Sequence, residues 1–100
     1  MSHKISNIKE GAYMKASESY SFFIKTDGTM QMKTRPIKFF ETILLANGWC
    51  RIHRSYFVNP SFIEHLSEDR NSICLQNGTY LPISPRNKSV VKKWLRVSLY

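Results

Sequence analysis

The sequence predicts a mainly β domain with two short helices, on three observations. Two Asx-Gly dipeptides, Asp27-Gly28 and Asn77-Gly78, sit between apolar runs, the strongest short-range hairpin signal. Short runs rich in Tyr, Phe and Ile alternate in part with polar residues, as half-buried strands do. Two further stretches open on proline and then carry apolar residues at helical spacing.

The elements follow in order. Residues 11–17 and 19–26 read as two strands with a polar break at Ser17-Glu18-Ser19. Asp27-Gly28 predicts a two-residue type I′ turn, which needs positive φ at both positions, and a return strand over 29–33 with Met30 and Met32 on one face. Thr34-Arg35-Pro36 opens a short helix with Thr34 or Arg35 as its cap. Ile37, Phe40, Ile43 and Leu44 fall on its apolar face, and Gly48 stops it. Trp49 to Ile52 is a brief extended segment, Phe57-Val58 is apolar, and Asn59-Pro60 breaks the chain. Strands follow over 62–66 and 72–76, separated by a polar turn at Glu68 to Asn71. Asn77-Gly78 then turns the chain back through Thr79 to Ile83. Ser84-Pro85 repeats the helix-start chemistry, with Val90, Val91, Trp94 and Leu95 as an apolar stripe and Lys88, Lys92 and Arg96 on the other side. Six or seven strands dominated by hairpins predict antiparallel sheets.

One hundred residues make one domain, placed at residues 11–97 behind a disordered lead-in or linker stub at 1–10. A 42% hydrophobic content is enough for a packed interior. The longest apolar run, Ile43 to Ala46, is four residues, too short for a membrane span, and no apolar signal segment opens the chain. A cytoplasmic protein is expected, with Cys50 and Cys74 as reduced thiols filling apolar positions.

Fifteen Lys and Arg against seven Asp and Glu give a net charge of +8, which favours a polyanionic partner. From Ser84 onward there are basic residues at Arg86, Lys88, Lys92, Lys93 and Arg96 and no acidic one. Enzyme chemistry is not expected. His53 and His65 have no nucleophile elbow beside them, and neither phosphate-cradling glycine motif occurs. No Cys or His pair has zinc-ligand spacing, so neither a metal nor another cofactor is expected.

Two basic clusters remain, Arg51-Ile52-His53-Arg54-Ser55-Tyr56-Phe57-Val58-Asn59 and Ser84-Pro85-Arg86-Asn87-Lys88. Taken by spacing alone, Arg51 and Arg54 read as solvated charges that protect a strand edge. His53 reads as an inward-facing residue bonded to backbone, since Arg54 beside it points the other way. Positive side chains at a helix N-terminus oppose the dipole, so Arg86 and Lys88 there call for a reason, and an anion docked on the free N–H groups supplies one. The aromatic residues Tyr13, Phe22, Phe23, Phe40, Phe57 and Trp94 fall at core positions, which argues against base stacking on single strands.

The order of these motifs resembles the LytTR family of bacterial DNA-binding output domains. Arg51 to Asn59 matches its R-x-H-R-S-[YF]-x-V-N stretch, followed by Asn77-Gly78 and Leu81-Pro82-Ile83-Ser84, and the resemblance runs from about Ala12 to Leu95. It implies an elongated fold of small antiparallel sheets with one short internal helix and a C-terminal helix. It also implies duplex DNA as partner, contacted in successive grooves by loops and the start of the C-terminal helix. On that resemblance Arg54 and Arg86 read bases, while Asn87, Lys88 and Lys92 hold phosphates. A third contact comes from the loop between the first two strands, matched by Ala16 to Ser21. Some members carry a longer donor where this chain has Ser21, so readout from Ser21 is expected to be weak, with Lys15 or Lys25 as alternative phosphate contacts. Two copies are expected on a promoter with tandem or imperfect repeats, as a dimer on DNA and away from membranes. Such domains commonly follow a receiver, which leaves open a stand-alone regulator or the output half of a longer one. A basic protein-interaction module and a membrane-surface domain are the alternatives without DNA readout. The second of these would require the apolar stripe of the last helix to be exposed.

Overall fold

Alternating burial along the first strands builds the larger of two antiparallel sheets. The computed structural model describes Ile5 and residues 7–98, with backbone alone from 94 onward. Strands β1 (Gly11–Ser17), β2 (Tyr20–Lys25), β3 (Met30–Lys33), β4 (Cys50–His53) and β5 (Tyr56–Val58) form a five-stranded sheet in the order β3-β2-β1-β5-β4. Strands β6 (Ile63–Leu66), β7 (Ser72–Leu75) and β8 (Tyr80–Pro82) form a three-stranded meander. Helix α1 (Glu41–Ala46) lies between β3 and β4, and α2 (Lys88–Ser98) closes the chain. The described residues thus hold eight strands, because Phe57-Val58, read only as an apolar pair after the extended segment at Trp49 to Ile52, forms β5 and folds back on β4 as a hairpin.

The two faces of the larger sheet are covered by different elements. On one face, Met14, Phe23, Trp49 and Phe57 pack under Ile37, Phe40 and Leu44. On the other, Cys50, Ile52 and Val58 meet Ile63, Ile73, Leu75 and Leu81 of the small sheet, together with Ile83 and Val91. Two cores side by side give an elongated body of 41 × 26 × 22 Å.

Several expectations are corrected in detail. Both hairpins form, but only Gly28 (φ +92) and Gly78 (φ +87) have positive φ. Asp27 and Asn77 each accept a bond from the N–H two residues on, at 2.9 and 3.0 Å, and this Asx turn keeps them out of the left-handed region. Each loop is therefore a three-residue turn ending in a left-handed glycine: Gly28 N–H donates to the Lys25 carbonyl, Gly78 N–H to that of Leu75.

The helix after β3 starts as a 3-10 turn at Ile37–Phe40, with Pro36 in extended conformation before it and no side-chain cap from Thr34 or Arg35. Its tighter winding buries Ile37, Phe40 and Leu44 and leaves Ile43 47% exposed. Met30 and Met32 lie on the edge strand and are exposed. Residues before β1 are not loose throughout: Ile8–Glu10 is a 3-10 turn, and Ile5 and Ile8 pack against the core under α1. Val91 is buried while its neighbour Val90 is exposed; the side chains of Trp94, Leu95 and Arg96 lie outside the described residues.

Candidate nucleic-acid interface

The segment Arg51–Asn59 is a tight hairpin whose side chains divide into struts and one projecting cation. Arg51 is a strut. Its guanidinium donates to the carbonyl of Arg54 at 2.8 Å and of His53 at 3.4 Å, pairs with Glu41 at 3.2 Å, and lies 5.2 Å from the Phe57 ring centroid. Asn59 is a second strut, buried, with its amide donating to the Gly11 carbonyl at 2.8 Å and its oxygen accepting from Ser61 N–H at 3.1 Å. Arg54 sits at the turn, exposed, with no protein partner for its side chain among the described residues.

A bulge between Arg51 and His53 shifts the register of β4 against β5. His53 is thereby set opposite Tyr56, their rings 5.7 Å apart and edge to face. Its Nδ1 accepts from Ser55 N–H at 3.1 Å, so the expected bond to backbone is present, yet the ring is half-buried and faces a cleft. The same bulge leaves Ile52 without a partner residue on β5, and its carbonyl accepts from Ser84 N–H at 2.9 Å.

That bond brings in the second basic cluster. Ser84 is extended, Pro85 starts a 3-10 turn over Pro85–Asn87, and α2 continues from Lys88. The Ser84 hydroxyl makes no cap bond, so no side chain caps the first N–H groups of this turn. An open cleft results, lined by Arg51, His53, Arg54, Ser84, Arg86 and Asn87. No carboxylate is among these six residues. Arg54 and Arg86, far apart in sequence, thus face one cleft, and both are exposed.

Lys88 and Lys92 lie on another flank of α2, beside Arg70 around a groove floored by Leu66, Ile83 and Val91. The Lys88 ammonium contacts the Asn71 side chain in the β6–β7 turn. Ser21 is placed differently from expectation. It is fully buried, and its hydroxyl donates to the Arg35 carbonyl at 2.8 Å, which corrects its reading as a surface contact. Sequence reasoning missed His53 as a cleft residue, because a bulge is not written in residue type. Register also brings Lys33, and Arg35 after it, to the same end of the sheet as the Arg54 turn, which residue order alone does not show.

Taken together, the fold and this cleft define a small β-rich module with a cationic end suited to a polyanion. The LytTr DNA-binding domain family model matches residues 3–96, so the chain belongs to the LytTR family of DNA-binding domains, which is not a catalytic family. Its fold is similar to the LytTr DNA-binding domain of a methyl-accepting/DNA response regulator from Bacillus cereus. That match has a TM-score of 0.77 at 20% identity and covers 95% of this chain and 94% of the other. No curated protein matches the sequence. No described helix is long and apolar enough to cross a membrane.

Proposed function

We propose that this domain binds duplex DNA sequence-specifically as the output module of a bacterial transcriptional regulator acting in the cytoplasm. The observation that carries the reading is the convergence of Arg54 and Arg86 on one carboxylate-free cleft. Arginine presents a planar fork of donors that matches the N7 and O6 edge of guanine in the major groove. Arg54 is held by the Arg51 strut behind its carbonyl, and Arg86 by the Ser84–Ile52 bond and Pro85. Both therefore project from fixed backbone, so little ordering is needed on binding.

Asn87, Lys88 and Lys92, with the uncapped N–H groups at the start of the C-terminal helix, take phosphates and set register without reading sequence. Lys88 exchanges its Asn71 contact for a phosphate. Two copies occupy a tandem or imperfect repeat in a promoter.

Duplexes selected from a randomised library supply the cognate site for the test. Arg86→Ala should cost about 1–3 kcal/mol on that site and little on scrambled DNA, since a bidentate base contact exists only in register. Its melting temperature should stay near wild type, because Arg86 is exposed and makes no described protein contact. Equal loss on both duplexes would make Arg86 a phosphate contact, and selection of no consensus would remove the sequence-specific reading altogether.

A further inference from the structure

We infer that Arg35 is an additional DNA contact, gripping a backbone phosphate across the groove from Arg54, and that buried Ser21 is its positioning residue. The inference rests on the DNA-binding reading above and adds a contact from a segment outside both basic clusters.

Strand register carries it. Lys33 pairs with Ser21, Ser21 with Ala16, and Ala16 N–H donates to the Ser55 carbonyl at 2.8 Å. One row across β3, β2, β1 and β5 therefore ends at Lys33 on one side and at the Arg54-Ser55 turn on the other. Thr34 and Arg35 leave β3 at that same end.

Ser21 then fixes where the chain goes. It is the one small polar side chain fully buried in this sheet among the described residues, and its hydroxyl is spent on the Arg35 carbonyl at 2.8 Å. A fully buried hydroxyl is costly unless it is bonded, so the bond pins the backbone at Arg35. The exposed guanidinium lies 4.9 Å from the Phe39 ring centroid, within cation–π range, which limits the directions it samples.

Spacing supplies the partner. Three strand intervals place the β3 exit about 14 Å from the β4–β5 turn. The major groove is about 12 Å wide. With Arg54 in the groove mouth, a cation at the β3 exit meets the sugar-phosphate lip rather than a base edge. The planar fork of donors on arginine suits a phosphate oxygen, which can replace a weaker protein contact on binding.

The test compares Arg35→Ala, Arg35→Lys, Ser21→Ala and a control, Lys9→Ala, in the full chain by fluorescence anisotropy. Lys9 is exposed beside the Gly11 end of β1, opposite the Ser17 end, and its loss removes the same charge. Arg35→Ala should weaken cognate and scrambled duplexes alike, by several-fold to about tenfold, and lower the slope of log affinity against log salt by about one. Arg35→Lys should restore the slope but only part of the affinity. Ser21→Ala should weaken both duplexes with Arg35 present and add nothing to Arg35→Ala, a non-additivity that a purely structural serine would not show. Loss on the cognate site alone would make Arg35 a base reader and overturn the phosphate assignment. An unchanged Arg35→Ala, or an equal effect of Lys9→Ala, would overturn the contact itself. Wild-type protein that bound no duplex would instead overturn the function on which this rests.

Discussion

Residues that look equivalent in the Arg51–Asn59 motif do different work. The run reads as a brief extended segment followed by an apolar pair, and it folds as a hairpin. Which side chains project is decided by the bulge at Ile52 and by the Arg51 and Asn59 bonds, none of which follows from residue type. Ser21 shows the same limit from the other side: a small polar residue after a turn reads as surface, and the register puts it inside. Cys50 is the opposite case, since its apolar surroundings make it a buried thiol, as expected, and carry a measurable consequence. Burial pushes it up to about 11. In the unfolded chain it ionises near about 8.5, so the fold holds its proton more tightly. That contribution is intact below the unfolded value and is lost as pH rises from there towards about 11. Urea unfolding between pH 8 and pH 11 should show a steeper fall in stability for wild type than for Cys50→Ala. Parallel curves would mean that the thiol ionises equally well in the folded protein.

At the scale of elements, the Asx-Gly signals locate both hairpins correctly and misassign their turns, because the Asx side chain bonds forward and changes the loop from two residues to three. The 3-10 start of the first helical segment is equally hidden, since proline there reads as an ordinary helix opening. Glycine positions separate two physical demands. Gly78 needs its φ of +87, and nothing lies within 4 Å of where a Cβ would stand. Gly11 has ordinary backbone, but a Cβ there would stand 2.4 Å from Phe23 Cζ and 2.8 Å from Trp49 Cη2. Gly78→Ala should therefore cost about 1 kcal/mol through backbone strain alone. Gly11→Ala should cost about 1–3 kcal/mol, because two buried rings stacked 5.9 Å apart must move. Denaturant midpoints with unchanged slopes would establish the order, and a smaller loss at Gly11 would show that the ring pair yields easily.

Across the whole molecule, the two-core arrangement gives a body 41 Å long, a little more than one turn of B-DNA at about 34 Å. A body of that length can lie along one face of a duplex and reach successive grooves, which one compact core of the same mass would not do. The charge balance was legible at this scale, but its placement was not. Arg54 and Arg86 share a cleft, Arg35 stands at the far side of the sheet end, and Lys88 and Lys92 flank α2 beside Arg70. In the proposed reading, positioning and readout are spread over different elements, and salt distinguishes them. Binding that neutralises about five phosphates should fall by several hundredfold or more between about 50 and 200 mM salt. Lys92→Ala should lower that slope by about one and weaken selected and scrambled duplexes alike, since a phosphate contact carries no sequence information. Arg54→Ala should instead narrow the gap between the two duplexes. If Lys92→Ala changed sequence preference, the flank of α2 would have to enter a groove rather than rest on the backbone. If the salt slope were near zero, the net charge of +8 would have no part in binding.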